Sequence, residues 1–329
     1  MRAKLDGSEV NLLADRDGSF SVKFNANFDW FLAEHSTAHS QDEILLFDDE
    51  GRFIRNVIPR DEAYLTSLAI APPEFLQIPI GEEESNGTLD AMLIKPLNFD
   101  ADKKYPVVVH VYGGPQAPRV RDRFGGQTYL WHQYLTQQGF VVFVVDNRSC
   151  SYTSAKQVWP IYRDLARREL ADLEWATNWL ISNHDWVDSD RLGLWGWSYG
   201  GYMTAYALTH TDLFHCGISG APVTDWRNYD AIYTERYMDT PQANPKGYEA
   251  SSVIPVAKDL QGNLLLIHGT IDDNVHISNT LQFAKALQKA GKQFELMVYP
   301  ENRHAVRDPE QRLHLYQLMT DFLKRNLQP

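Results

Sequence analysis

The chain has 329 residues, enough for one large α/β domain plus a smaller unit, and its 43% hydrophobic and 22% charged residues are those of an ordinary globular protein. Asp and Glu total 43 against 31 Lys and Arg, and the net charge of −12 disfavours a nucleic-acid or anionic-membrane partner. No apolar run of about 18 residues occurs and Met1-Arg2-Ala3-Lys4-Leu5-Asp6-Gly7 lacks a hydrophobic signal region, so the expectation is a soluble chain without membrane segment or export address.

Residues 1–75 read as β-rich. Short strands are expected at 19–24, 30–36, 43–48 and 51–58, with a tight Asp49-Glu50-Gly51 turn joining the last two. Four strands are about one propeller blade, too little to close a ring, so this segment is expected to be the remnant of an N-terminal β-propeller or an ornament on the main domain. From Phe75 the pattern changes. Antiparallel-type strands at 75–80 and 89–96 flank a loop at 81–87, and the β-branched runs at 107–112 and 140–146 are typical of strands covered on both faces. Ile161, Leu165, Leu173, Trp179 and Leu180 predict a helix over 161–181. A strand at 192–195 and a helix opening at Gly200 follow. Further strands are expected at 216–219, 264–268 and 294–299, with a helix over 277–290 closed by Gly291 and a final helix capped by Asp308 with Pro309 at its first position. This alternation predicts an α/β fold over 76–329, a doubly wound, mostly parallel sheet with its site at the carboxyl ends of the strands. Cys150 and Cys216 lack metal-type spacing and read as two buried or half-buried thiols.

The stretch Leu194-Trp195-Gly196-Trp197-Ser198-Tyr199-Gly200-Gly201-Tyr202 has the nucleophile-elbow pattern, a sharp strand-to-helix turn that lifts a serine hydroxyl into solvent. Glycines two before and two after Ser198 remove Cβ atoms where strand and helix meet. The helix beginning beside Ser198 directs its free N–H groups at the site, which suits an oxyanion. A serine needs a base and a group to orient that base, in the chain order nucleophile, acid, histidine. Asp272 or Asp273, in the loop after the 264–268 strand, and His304, in the loop after the 294–299 strand, fall in that order. Of the chain's 11 histidines, only His304 combines the right loop with the right order. His268 and His110 belong to strands and His314 to a helix. Spacing does not choose between the two aspartates.

Three stretches together resemble the prolyl oligopeptidase family, its dipeptidyl peptidase IV branch above all: Gly-Trp-Ser-Tyr-Gly-Gly-Tyr at 196–202, His-Gly-Thr-x-Asp-Asp-Asn-Val-His at 268–276 and Val-Tyr-Gly-Gly-Pro at 111–115. Asp-Trp-Arg-Asn-Tyr-Asp at 225–230 and Tyr-Thr-Glu-Arg-Tyr-Met at 233–238 strengthen the match, which covers roughly 76–329. The resemblance implies an α/β-hydrolase fold and a serine peptidase that releases N-terminal X-Pro or X-Ala dipeptides through the triad Ser198, Asp272 and His304. It further implies that the Tyr112 phenol and the Tyr199 backbone N–H donate to the oxyanion. Val223, Trp226, Tyr229, Tyr233 and Val275 are implied to form the proline pocket, and Asn274 to bind the substrate backbone. Without the resemblance, Trp226, Tyr229 and Tyr233 would read as a core-facing stripe at helical spacing. The substrate implied is a peptide, no cofactor or metal is implied, and a homodimer through the hydrolase domain and Leu313 to Leu327 is an expectation from the family.

The departures are specific. In the family a propeller covers the site and two propeller glutamates bind the substrate amine, whereas 75 residues hold one blade, so a fragment or short member without those glutamates is expected. Glu82-Glu83-Glu84 reads as a solvated turn rather than a substitute. The loop Asp146-Asn147-Arg148-Ser149-Cys150-Ser151 departs from the family's Asp-Gly-Arg-Gly-Ser-Gly. Cys216 matches a position that is disulfide-bonded in animal relatives, yet the last helix has no cysteine, so a free thiol is expected. The rival readings are an acylaminoacyl peptidase, an oligopeptidase or an esterase of the same family, and, least supported, a non-catalytic binding homologue.

Overall fold

The computed structural model describes residues 1–14, 16–81, 87–151 and 155–328. These form two compact units, Met1–Pro73 with Arg121–Tyr134, and Glu74–Val120 with Leu135–Pro329. The run Glu82-Glu83-Glu84 lies outside the described residues.

In the first unit β1 (Ser19–Phe24), β2 (Trp30–Thr37), β3 (Ser40–Asp48) and β4 (Phe53–Ile58) pair antiparallel in chain order. Alternation drives the pairing. Phe31 and Ala33 of β2 face Phe47 and Leu45 of β3 in register, all four are buried, and the Phe31 and Phe47 rings stack with centroids 5.1 Å apart. A short helix α1 (Glu62–Ser67) follows. The first part of α2 (Gly126–Gln137) belongs to this unit: the Tyr129 hydroxyl donates to the Ala38 carbonyl at 2.8 Å, and the Gln133 amide exchanges two 2.8 Å bonds with the Ala71 backbone.

The second unit is built on β5 (Glu74–Pro79), β6 (Thr88–Ile94), β7 (Tyr105–His110), β8 (Val141–Val145), β9 (Val187–Trp197), β10 (Cys216–Gly220), β11 (Asn263–Gly269) and β12 (Glu295–Tyr299). They form one sheet in the order β5-β6-β8-β7-β9-β10-β11-β12, in which β6 alone runs against the rest. The helices are α3 (Ala155–Val158), α4 (Arg167–Asn183), α5 (Tyr199–His210), α6 (Ala231–Met238), α7 (Pro245–Ser251), α8 (Ser278–Lys289) and α9 (Pro309–Leu327). Every residue of β7 and β8 is buried, as expected for strands covered on both faces. Two glycines identify the covers. Gly193 of β9 lies against Leu323 and Leu327 of α9, and Gly217 of β10 against Thr204 and Leu208 of α5. Gly193 pairs with Cys216, the neighbour of Gly217, so alternation puts α9 and α5 on opposite faces. This is the α/β-hydrolase arrangement.

Two elements differ from expectation. The helix predicted over 161–181 begins only at Arg167. A separate 3-10 turn containing Pro160 spans Trp159–Ile161, the Arg163 N–H goes to the Tyr237 carbonyl at 2.6 Å, and Arg163 and Ala166 hold left-handed φ of 67° and 77°. β9 extends back to Val187, because the polar run 188–191 hides its first half from hydropathy. Both cysteines are free and buried, and burial pushes the Cys216 thiol up to about 12. Among the described residues no helix is long and apolar enough to cross a membrane, and no cluster of His, Cys, Asp and Glu could hold a metal ion.

Candidate active site

Ser198 stands between the end of β9 and the first residue of α5, at φ 63° and ψ −119°. A non-glycine residue in this region is strained, and here the surroundings fix it. Its N–H donates to the Gly220 carbonyl at 2.8 Å, while its carbonyl accepts from Tyr202 at 2.9 Å as the first helical bond of α5. The flanking glycines are required by contact. A Cβ on Gly196 or Gly200 would lie 2.4 or 2.3 Å from the Val111 carbonyl oxygen, so only bare backbone lets the strand and helix meet against β7's continuation. Ser198 is half-buried, which leaves its hydroxyl reachable.

The loops after β11 and β12 bring Asp272 and His304 together. His304 Nδ1 lies 2.8 Å from Asp272 Oδ2. With Nδ1–H donated to the carboxylate, a neutral ring carries its lone pair on Nε2. Asp272 is buried, and Asp273 next to it is exposed and ion-paired with Arg303, so the geometry separates two residues that spacing could not. Burial pushes the Asp272 carboxyl up. Hydrogen bonds from His268 and His304, the charge of His304 and the Asn274 N–H outweigh that and hold it well below the usual carboxylate range. The Asn274 and Val275 N–H groups donate to Oδ1 at 3.0 and 2.9 Å. An acid so fixed stays ionised at neutral pH.

Tyr112, in the loop after β7, lies near the Ser198 side chain. Burial raises its phenol pKa, against the pull of the Arg119 charge, so at neutral pH it is an O–H donor. The Tyr199 N–H is the first of α5 and has no acceptor within the helix. These two donors flank the serine. The predicted aromatics gather beside Tyr199. The Trp226 ring packs on Tyr199 (5.3 Å), Tyr229 (5.8 Å) and Tyr233 (6.0 Å), and the Tyr229 hydroxyl donates to Asn274 Oδ1 at 2.8 Å. Trp226 is buried while Tyr229 and Tyr233 are half-exposed. Val223 and Val275 are buried in the main core, whose cluster also contains Trp226. The three aromatics do not share one helix. Asp225 caps a 3-10 turn at 226–228 and Asp230 caps α6, which splits the apparent stripe into two elements.

Four supporting residues were not anticipated. His268, at the end of β11, accepts from Thr280 at Nδ1 (2.7 Å) and donates from Nε2 to the Val275 carbonyl (2.8 Å), 3.3 Å from Asp272 Oδ2. The Trp197 indole N–H donates to the His304 carbonyl at 2.7 Å and ties the histidine loop to the elbow. Glu169 of α4, fully buried, accepts the Tyr199 hydroxyl at 2.7 Å, and burial raises its carboxyl to about 7. Arg119 lies over the Tyr112 ring, 4.1 Å from its centroid. Only Glu169 left a sequence signal, being with Asp172 one of two acids on the mostly apolar buried face of α4. The divergent 146–151 loop is firmly held: Asn147 Oδ1 caps its 3-10 turn and Arg148 pairs with Asp172 at 2.9 Å.

A family model described as the prolyl oligopeptidase family matches residues 127–329. Over 97% of its length the chain is 36% identical to dipeptidyl peptidase 8 of Homo sapiens, covering 36% of that protein. Over 72% it is 41% identical to prolyl endopeptidase FAP of Bos taurus, covering 31% of that protein. The crystal structure of Porphyromonas gingivalis dipeptidyl peptidase 4 matches with a TM-score of 0.89 at 35% identity, covering 96% of this chain and 44% of that one. The chain thus spans roughly a third of the length of the curated relatives it matches. With the elbow and the acid–histidine pair in these loops, the chain belongs to the prolyl oligopeptidase family.

Proposed function

We propose that this chain carries the catalytic machinery of a serine peptidase of the dipeptidyl-peptidase type, cleaving after proline or alanine. The observation that carries the reading is the 2.8 Å Asp272–His304 bond beside a serine strained into the elbow. Ser198 Oγ attacks the scissile carbonyl as His304 Nε2 takes its proton, and the carbonyl electron pair moves onto oxygen. Tyr112 and the Tyr199 N–H stabilise that oxyanion. The oxyanion collapses, the C–N bond breaks, and His304 gives the proton to the leaving amine. Water, deprotonated by the same ring, then hydrolyses the acyl-enzyme and restores Ser198. Asp272 fixes the tautomer and stabilises the imidazolium throughout.

The half-exposed Tyr229 and Tyr233 over buried Trp226 support a pocket for a flat proline ring, with Val223 and Val275 behind and Asn274 holding the substrate backbone. The same reading treats 1–75 as the blade-like segment and 76–329 as the catalytic domain. It also offers α9, where Leu313 is exposed, as a homodimer face. An endo-acting enzyme is the second reading, favoured by the likeness to a protein named prolyl endopeptidase. Initial rates on a chromogenic Gly-Pro anilide and its N-acetylated twin separate the two. The expected result is hydrolysis confined to the free amine and abolished in Ser198→Ala with the fold intact. Equal rates on both substrates would favour the endopeptidase, and an active Ser198→Ala would refute the site.

A further inference from the structure

Arg119 is an exposed arginine whose guanidinium enters no ion pair among the described residues; instead its central carbon lies over an aromatic ring near the candidate nucleophile. The backbone that carries it is held with unusual care. Both oxygens of the buried Asp146 carboxylate accept the Arg119 N–H, at 2.9 and 2.8 Å, and Oδ2 also accepts the Val120 N–H at 2.9 Å. Between Tyr112 and Arg119, the Gly113 carbonyl accepts from Asn147 Nδ2 at 2.9 Å, the Gly114 carbonyl from the Cys150 thiol at 3.5 Å, and the Gln116 N–H donates to the Ser149 carbonyl at 2.8 Å. The segment 113–120 is therefore fastened along its length to 146–150. An exposed arginine on a free loop would sample many rotamers; this one starts from a fixed Cα within reach of one ring.

We infer that Arg119 is a positioning residue for Tyr112: its cation on the ring face holds the phenol in place and strengthens it as the donor to the oxyanion. The physics is that of a charge on a quadrupole. A cation over the ring draws electron density from the phenolic O–H, whose proton then interacts more strongly with the developing negative oxygen, and the stack restricts rotation of the ring. The effect grows in the transition state, where the charge appears, so it acts on kcat more than on KM. A direct attraction between the guanidinium and the oxyanion would also raise kcat, but it would not need the phenol. This distinction makes the idea testable, and the idea rests on the serine-peptidase reading above.

The test is a double-mutant cycle on the full chain: wild type, Arg119→Ala, Tyr112→Phe and the double variant, with Arg119→Lys as the conservative control. It is read by kcat and KM on Gly-Pro p-nitroanilide, with the melting midpoint as a check on folding. Arg119→Ala should lower kcat about fivefold at nearly constant KM, and Arg119→Lys should restore most of the loss. In the Tyr112→Phe background, itself down on the order of 100-fold, removing Arg119 should change almost nothing. A fivefold loss that persists without the phenol, or no loss with it, would overturn the brace while leaving Tyr112 as donor. A fully active Tyr112→Phe would overturn both, and turnover that survives Ser198→Ala would show that the site reading itself had failed.

Discussion

Replacing Glu169 by glutamine should flatten the pH dependence of stability. The carboxyl is fully buried beneath the nucleophile helix, makes one 2.7 Å bond to the Tyr199 hydroxyl and leaves Oε2 without a hydrogen-bond partner. Burial is the main cause that raises its pKa from 4.5 to about 7, against the hydrogen bond from Tyr199. Below pH ~4.5 the group is neutral in both folded and unfolded chains and costs nothing. As pH rises from there to about 7, the unfolded chain ionises first, so the native state loses stability relative to it, and the loss is complete above that range. Raising the carboxyl from 4.5 to about 7 amounts to about 3 kcal/mol of stability between pH 4.5 and 8. Glutamine keeps the Tyr199 acceptor but does not titrate. Its amide adds a buried donor, a cost of about 1–3 kcal/mol that is the same at every pH, so the informative quantity is the change in the difference. Urea titrations at both pH values should find wild type minus Glu169→Gln falling by about 3 kcal/mol as pH rises. A difference constant to within about 0.5 kcal/mol would refute the argument that this carboxyl is carried neutral.

Three further outcomes follow from close contacts, open space and burial. A Cβ on Gly201 would lie 2.2 Å from the Gly220 carbonyl oxygen, the acceptor of the Ser198 N–H, so Gly201→Ala should lower the melting midpoint by about 5–10 °C and impair turnover. Gly291→Asn, at φ 71° with open space for 4 Å around the point where a side chain would begin, should leave both nearly unchanged. Cys150 and Cys216 are buried with raised thiol pKa values, so a disulfide reagent such as DTNB should label them on the order of 100-fold faster in denaturant than in the native chain; rapid native labelling would contradict their burial.

What was legible in the sequence is what local chemistry determines. Gly196, Ser198 and Gly200 lie within one strand–turn–helix, and the steric demand that selects the glycines acts between residues a few positions apart and one carbonyl, that of Val111. The sheet was legible because β7 and β8 are apolar apart from His110 at the end of β7. The choice between Asp272 and Asp273 was not, since neighbours in a loop differ only in direction, and direction is set by His268 and His304 from other elements. The aromatic trio looked like one helix face because spacing alone does not register that Asp225 and Asp230 each begin a new element. Arg119 left no signal at all. Its partner ring is seven positions back, and its placement depends on Asp146 at the end of another strand.

The polar groups buried in the second unit raise a question of cost. Burying Asp146, Glu169, Asp272 and His268 is unfavourable unless each is bonded, and an apolar side chain of similar size would be cheaper in stability. Yet each fixes a different neighbour. Asp146 takes the Arg119 and Val120 N–H groups, Glu169 the Tyr199 hydroxyl, Asp272 the His304 ring, and His268 the carbonyl of Val275. A hydrophobic contact tolerates sliding, whereas a hydrogen bond of 2.7 to 2.9 Å does not, so directional bonds belong where small displacements matter to the chemistry. That β7 and β8 contain almost no polar side chain, while the loops that continue them are dense with such bonds, is what a rigid sheet carrying a precisely held site requires.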